Sequence, residues 1–219
     1  MSIKHHLTEG LIMGYSAGTL PEAFNLVIAT HVSLCDECRA LVESYDALGG
    51  AMLDTGATAT MGSGALDATL ALIAAADAET ADAPCRDNAP RASGVFPAPL
   101  RDYVGGDLDA VKWRPAGGGV KQALLSTSKD ATVRLIQIPA GAKVPDHGHQ
   151  GTELTLVLQG AFRDETARFG RGDIEVADEE LQHTPVAEEG ETCICLAATD
   201  APLKFKDLLP RMAQPFLRI

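Results

Sequence analysis

The chain has 219 residues, of which 46% are hydrophobic, and its 30 acidic side chains against 18 Lys and Arg give a net charge of −12 at pH 7. This charge argues against direct nucleic-acid binding, because proteins that bind nucleic acid contact its phosphates with Lys and Arg. No stretch approaches the roughly 20 consecutive apolar residues of a membrane span, and the first residues lack the apolar core of a signal peptide, so we expect a cytoplasmic protein that does not bind membranes.

Three short helices are predicted before residue 50. Thr8 is expected to cap the first helix, because apolar residues at helical spacing follow it. The turn at residues 18–21 places Pro21 near the first position of the second helix. A third helix is predicted to begin around residues 35–38 and to stop at Gly49 and Gly50. Helices of this size bury little surface, which favours a bound metal that stabilises them.

A fourth helix and a linker are predicted next. Leu66, Leu70 and Ile73 recur at i, i+4 and i+7, which predicts a short helix with one apolar stripe. This helix is either the last member of the bundle or an arm that binds a partner. Residues 79–96 contain several prolines and few large apolar side chains, which indicates a flexible linker.

Beyond the linker the apolar residues recur with a period of two. The clearest examples are residues 133–138, 154–158 and 192–196, which are separated by Gly, Pro and Asp turns. Many short strands at close spacing are typical of a β-sandwich or barrel. The predicted fold class is therefore α+β in two domains, with a small metal-stabilised helical bundle over residues 1–78 and a β-domain over residues 97–219.

His31, Cys35 and Cys38 form the clearest pattern in the N-terminal half. At about 100 degrees per residue the three side chains fall within roughly 60 degrees of one helix face, and a helix break near Cys35 also leaves them together. Structural zinc sites usually have four ligands. His5 or His6, just before the first helix, is the natural fourth ligand, and we prefer His6. The alternative is a pair of packed cysteines beside a surface histidine.

A histidine before the first helix followed by His31-x-x-x-Cys35-x-x-Cys38 resembles the zinc-binding anti-sigma domain family. In that family a helical module binds an extracytoplasmic-function sigma factor and keeps it from RNA polymerase core. The resemblance implies that the first three helices and the helix of Leu66, Leu70 and Ile73 bind such a sigma factor in a 1:1 heterodimer. Residues 1–78 carry nine acidic and two basic side chains, which suits a basic partner, although solubility alone also accounts for them.

A second set of metal ligands lies in the predicted β-domain. His147 and His149 are two residues apart and share one face of a strand, while Glu153 is expected on the neighbouring strand and His183 on a third. Three imidazoles and one carboxylate suit zinc or another divalent metal such as iron, manganese or nickel. The alternative is that these histidines are hydrogen-bonded barrel residues.

The spacing of these ligands resembles the two-part cupin motif. The first part matches as Gly141-x5-His147-x-His149-x3-Glu153-x6-Gly160. In the second part Gly172 and His183 match, whereas other positions of the motif carry Asp178, Glu180 and Ala187 in place of the usual Pro, Gly and Asn. The departures leave the four ligand positions intact, so the resemblance implies a cupin domain over residues 97–219.

The order of the two parts is similar to that of the ChrR-type anti-sigma factors, in which a zinc anti-sigma domain precedes a cupin. The opening Ile3-x-His5-His6 and the sequence Tyr15-x-x-Gly18-Thr19-Leu20 are also similar to theirs. The likeness implies a transcriptional regulator rather than an enzyme, which releases its sigma factor when the cupin senses singlet oxygen or organic peroxide. The alternative is a metal-dependent, dioxygenase-like cupin enzyme whose zinc module mediates assembly.

Three cysteines lie outside both ligand sets. Cys193 and Cys195 fall on one face of a predicted strand, where they are either a redox pair or packed core residues, and we favour packing. Cys85 lies in the predicted linker and has no partner nearby in sequence.

Overall fold

The computed structural model describes residues 2–80, 94–202 and 204–205. The chain divides into two compact units, one of residues 1–49 with 94–219 and one of residues 50–93. Most of the predicted linker, including Cys85, lies outside the described residues, and the proposed domain boundaries stay a prediction. No helix in the described ranges combines the length and apolar character that a membrane span requires.

The helices occupy the N-terminal part of the chain and the start of the β-domain. The α-helices are α1 (Glu9–Ser16), α2 (Glu22–Val32), α3 (Asp36–Asp54), α4 (Ala65–Thr80) and α5 (Ala98–Val104), and a 3-10 helix covers Leu108–Ala110. The predicted cap of α1 is confirmed, since the Thr8 hydroxyl accepts a hydrogen bond from the Leu11 amide at 3.4 Å. Pro21 precedes the first residue of α2, as its restricted backbone favours.

The prediction that α3 stops at Gly49 and Gly50 is wrong. The helix continues to Asp54, and both glycines are exposed. A helical glycine costs only about 1 kcal/mol relative to alanine. The good helix formers on either side, residues 47–48 and 51–53, outweigh that cost.

The β-domain consists of short strands joined by tight turns. These are β1 (Arg114–Gly117), β2 (Val120–Leu125), β3 (Thr132–Ile138), β4 (His147–Gly148), β5 (Glu153–Gln159), β6 (Ala161–Arg163), β7 (Arg168–Gly170), β8 (Ile174–Ala177), β9 (Gln182–His183), β10 (Val186–Ala187), β11 (Cys193–Thr199) and β12 (Lys204–Phe205). They form a six-stranded sheet in the order β1-β2-β3-β11-β5-β8 and two three-stranded sheets, β10-β6-β7 and β12-β4-β9. Every strand pair in the described residues is antiparallel, and the predicted α+β class is confirmed.

The central strands of the six-stranded sheet, β3, β11 and β5, are buried on both faces. On one face, Leu196 of β11 pairs with Leu135 of β3 and Leu156 of β5. This face shares a core with α2 and α5. On the opposite face, Cys193, Cys195 and Val157 pack in a second core inside the β-domain. Alternate residues of one strand therefore serve two cores, and α2 lies directly on the six-stranded sheet, whose strand β5 carries Glu153.

Candidate metal centres

Four predicted ligands of the N-terminal half come together although they belong to three separate segments. His6 precedes α1, His31 lies in the last turn of α2, and the two cysteines lie at the start of α3, with Cys35 immediately before the helix and Cys38 in its first turn. One ligand atom from each lies within 4.8 Å of the others. The cysteines and His31 are buried and His6 is partly buried. Two thiols and two imidazoles at this separation match the ligand types and number of a structural zinc site.

The tautomer of His31 is set by a backbone contact. Its Nδ1–H donates to the carbonyl of Gly172 at 3.0 Å, which leaves the Nε2 lone pair facing the Cys38 sulfur at 3.3 Å. Burial lowers the pKa of His31 to about 4, against the opposing effect of the Gly172 hydrogen bond. The ring is therefore neutral at physiological pH, the form that binds a metal.

His6 faces the cysteine sulfurs with Nδ1, whereas His31 faces them with Nε2. Its Nδ1 lies 3.3 Å from the Cys35 sulfur and 3.7 Å from the Cys38 sulfur, while Nε2 faces the Glu37 carboxylate at 3.4 Å. The ring of the adjacent His5 instead contacts Phe169, with ring centroids 4.4 Å apart. The geometry thus brings His6, and not His5, to the cluster.

The Cys38 thiol of this cluster needs a cation to ionise at neutral pH. Burial, with a contribution from nearby Cys35, raises the pKa of the Cys38 thiol to about 11. A bound Zn²⁺ deprotonates a coordinating thiol outright. The donor set therefore fits zinc, which would displace the proton of Cys38.

The second cluster brings together His147, His149 and His183. The His183 Nε2 lies 3.2 Å from the His147 Nε2 and 3.4 Å from the His149 Nε2, and all three rings are buried. β4 and β9 pair so that His147 lies directly opposite His183. Nitrogens at these distances share either a proton on His183 or a bound cation, and three imidazoles are ligands that suit a divalent metal.

The opposite ring nitrogens of two of these histidines have acceptors. The His147 Nδ1–H donates to the Pro145 carbonyl at 2.8 Å. The His183 Nδ1 lies 3.0 Å from an Asp164 carboxylate oxygen and 3.2 Å from a Glu175 oxygen. Burial alone would lower the pKa of His183, but Glu175 and Asp164 together raise it to about 9. Acceptors of this kind fix the ring so that Nε2 points at the metal position.

Glu153, the fourth predicted ligand, lies at the edge of this cluster. Its Oε2 is 3.8 Å from Nδ1 of His149, and its Oε1 accepts a hydrogen bond from the Thr155 hydroxyl at 3.1 Å. Its oxygens are not among the atoms that converge with the three Nε2 nitrogens. The His149 Nδ1 is buried without a hydrogen-bond partner in the described part of the chain.

Comparisons with known proteins place this geometry in a family. Residues 102–202 match the model described as a ChrR cupin-like domain. Over 220 residues the chain is 57% identical to the anti-sigma-E factor ChrR of Cereibacter sphaeroides, with 100% of each chain covered. The chain belongs to the ChrR family of anti-sigma factors. The ChrR chain that was crystallised with Rhodobacter sphaeroides SigE is 55% identical and superposes with a TM-score of 0.78, covering 91% of this chain and 100% of that chain.

The family assignment confirms the resemblance that the two ligand patterns gave to ChrR-type anti-sigma factors. Sequence reasoning on this ChrR-family chain nevertheless missed Asp164 and Glu175, which contact His183. Glu175 stood out as a charged residue between the apolar Ile174 and Val176, and this was the available sign of a buried role. Asp164 lies in a turn, where aspartate is common, so its type and position carried no such sign.

Cys193 and Cys195 of this ChrR-family chain form a buried pair of thiols outside both metal clusters. Both are buried on one face of β11, with their sulfur atoms 3.6 Å apart. The hydrogen bond with Cys193, together with burial, raises the pKa of Cys195 well above its ordinary value. Both thiols pack among the apolar residues of the second core.

Proposed function

We propose that this chain is an anti-sigma factor that regulates transcription by sequestering an extracytoplasmic-function sigma factor in a 1:1 complex. The exposed apolar side chains of α4 carry the proposal, since Leu66, Leu70 and Ile73 are 68%, 53% and 53% exposed. Exposed apolar surface on this scale marks a protein interaction site. The similarity to a ChrR chain crystallised with SigE supports a sigma factor as the occupant.

Other side chains of the same unit support the proposal. Met52, Leu53 and Met61 are also large, apolar and largely exposed. The excess of acidic over basic residues in 1–78 would speed the encounter with a basic protein surface.

We infer that zinc bound by His6, His31, Cys35 and Cys38 gives the helical part its binding-competent shape. Three short segments meet at that cluster, and a metal that joins them adds stability to the packing of α2 against the sheet. The cupin cluster is proposed to hold zinc or another divalent metal.

The cupin is proposed to sense an oxidant such as singlet oxygen or an organic peroxide. In this mechanism, oxidation at or near His147, His149, Glu153 and His183 alters the β-domain and weakens the grip on the sigma factor. The direct packing of α2 against the six-stranded sheet supports such a route, because a change in the sheet acts on the helix that carries His31.

Sigma-factor binding is tested by charge substitution on α4. Leu70→Asp with Ile73→Asp is expected to lower the affinity for Rhodobacter sphaeroides SigE and for the corresponding host sigma factor on the order of 10³-fold, because each apolar contact site contributes about 2 kcal/mol or more. Ala68→Asp, on roughly the opposite side of the helix, is the matched control. Calorimetric titration with full-length protein measures the affinities. Equal affinities for the double variant and the wild type would refute the proposal.

The sensing role is tested separately. His147→Ala and Glu153→Ala are expected to keep sigma binding while slowing oxidant-driven release of the sigma factor, measured by fluorescence anisotropy after exposure to singlet oxygen or an organic hydroperoxide. Release at the wild-type rate in both variants would remove the cupin metal from the mechanism.

A further inference from the structure

The turn that joins β7 to β8, residues 170–174, makes contacts that its place in the cupin motif does not explain. Asp173 is buried, and its Oδ1 accepts hydrogen bonds from the amides of Lys4 at 2.6 Å and His5 at 3.1 Å. Its Oδ2 accepts from the Gly170 amide at 2.8 Å. The Ile174 amide donates to the His5 carbonyl at 3.3 Å. These bonds fix the backbone immediately before His6 to the edge of β8.

Gly172 in the same turn contacts the other histidine of the N-terminal cluster. Its carbonyl accepts the Nδ1–H of His31 at 3.0 Å. Its φ of +89° is accessible to glycine, and a Cβ at this position would lie 2.8 Å from Cδ1 of Ile3. The turn backbone therefore lies against both the first residues of the chain and the end of α2.

We propose that this turn supports the N-terminal metal centre: the cupin holds the two histidine ligands in place and thereby slows the release of the metal. Of the two histidines, His6 has its Nε2 against the exposed Glu37 carboxylate, while its backbone approach depends on Asp173. The orientation of His31 depends on the cupin carbonyl of Gly172. Asp173 is thus a positioning residue for a metal site to which it contributes no ligand.

The same segment reaches the second cluster. Glu175 follows Ile174 by one residue and lies 3.2 Å from Nδ1 of His183. Residues 172–175 therefore contact His31, the backbone before His6, and His183 in succession. A displacement of this segment changes the surroundings of both clusters, which gives a change at the cupin site a direct physical means of loosening the N-terminal metal.

The expected loss of metal affinity on replacing Asp173 can be set from the usual effect of contacts that orient metal ligands. Losing a group that orients a metal ligand typically lowers metal affinity by about 10- to 100-fold. Asp173→Ala removes three backbone hydrogen bonds at once and falls within this range. Asp173→Asn keeps an oxygen that accepts from Lys4 and His5, so it is expected to stay within about threefold of the wild type.

The test measures zinc release from the full-length chain to a coloured chelator. All variants carry His147→Ala with His149→Ala, so that the N-terminal cluster is the source of the zinc. A groove of about 570 Å³ lined by residues that include His6 and Glu175 gives a small chelator access to this region. Asp173→Ala is expected to release zinc about 10- to 100-fold faster than the parent, at a temperature well below its measured unfolding midpoint.

Asp107→Ala is the matched control, because Asp107 also accepts from two backbone amides of the same unit, those of Leu108 at 2.8 Å and Phe96 at 3.4 Å. It is expected to lower the unfolding midpoint without changing zinc release. Gly172→Ala displaces the turn backbone that contacts His31, because the added Cβ would lie 2.8 Å from Ile3. It is expected to release zinc several-fold faster, and Ile3→Ala, which removes the clash, should partly restore the parental rate.

The inference rests on the proposed zinc at the N-terminal cluster, and the outcomes separate the two. If the parent protein holds no zinc, or holds zinc that Cys35→Ala with Cys38→Ala does not remove, the proposed N-terminal zinc site is refuted. A parent that holds this zinc, with Asp173→Ala and Gly172→Ala both releasing it at the parental rate, would refute the inference alone. Equal acceleration in Asp107→Ala would also refute it, because the effect would then be loss of general stability.

Discussion

The two metal clusters of this chain use similar side chains for different structural purposes. In the first, His6, His31 and the two cysteines connect the segment before α1 with the end of α2 and the start of α3. In the second, His147 and His183 project from the paired strands β4 and β9, and His149 directly follows β4. A metal at the first cluster therefore stabilises the fold around it, whereas a metal at the second is supported by a fold that does not need it.

This difference suits the two roles that the chain is proposed to play. A structural metal must stay bound so that the partner surface keeps its shape. A sensing metal must be able to change without the loss of its domain. The following predictions test the distinction.

The largest expected effect is at the first cluster. Cys35→Ala with Cys38→Ala is expected to remove the N-terminal zinc, unfold much of α1–α3 and abolish sigma binding, since structural zinc contributes on the order of 10 kcal/mol in small zinc domains. Metal content and far-ultraviolet circular dichroism measure the result. His147→Ala with His149→Ala is the control, and it should lose the cupin metal and keep its helical signal. Equal loss of helix in both would contradict the comparison.

A smaller effect, on the metal affinity of the cupin cluster, is expected from replacing Asp164. Its carboxylate contacts Nδ1 of His183, the ring nitrogen that faces away from the other two histidines. Asp164→Asn weakens the acceptor of the Nδ1–H, so the metal affinity of the cupin cluster should fall about 10- to 100-fold while the N-terminal zinc is unaffected. Competition with a chelator of known affinity measures this change. Glu188→Gln, which alters an exposed pair with Arg168, should have no effect on either metal. A cupin affinity unchanged by Asp164→Asn would mean that the carboxylate does not orient the ligand.

The pH dependence of the cupin site follows from His183. Burial opposes protonation, yet Glu175 and Asp164 raise the pKa of His183 to about 9, above its ordinary 6.5. Protonated His183 therefore contributes stability to the metal-free protein fully below pH 6.5, and that contribution is lost as the pH rises through 9. A metal must displace this proton, so its apparent affinity should rise up to about tenfold per pH unit between pH 7 and 9.

Titrations of the cupin metal at several pH values check this slope. In Glu175→Gln one of the two carboxylates that raise the pKa of His183 is removed, so the rise should end at a lower pH. A slope that is the same in both proteins would show that the proton displaced by the metal does not come from His183.

The smallest effect is expected from Glu37→Gln. The Glu37 side chain is 71% exposed and faces His6 at 3.4 Å, and exposed ion pairs contribute only about 0–1 kcal/mol. Zinc release from the N-terminal cluster should therefore accelerate at most about fivefold. A change as large as that expected for Asp173→Ala would show that Glu37, rather than the cupin turn, is the main support of the histidines.

The sequence predicts candidate ligands because three members of each set lie close together along the chain. His31, Cys35 and Cys38 lie within eight residues, and His147, His149 and Glu153 within seven, so a motif describes each set. The contacts that orient the ligands are not local. His31 and Gly172 are 141 residues apart, and Lys4 and Asp173 are 169 apart, so no spacing rule connects them.

The burial of both faces of the central strands could not be predicted, because it also depends on contacts between residues distant in sequence. The alternation of Leu154, Leu156 and Leu158 predicted a strand with one buried face. Val157, on the other face, is buried as well, and a period of two does not say which layer covers which face. In α3 the local glycine rule failed because helix formers on both sides outweighed it.

The double-sided burial of the central strands of the six-stranded sheet has a practical consequence for dissecting the molecule. A truncated fragment that contains only the β-domain would lose the helix that covers Leu135, Leu156 and Leu196. It would expose a broad apolar surface to water. Such a fragment is expected to aggregate or to form artificial oligomers. Its metal chemistry is therefore better studied in the intact chain, or after replacement of those leucines by hydrophilic residues.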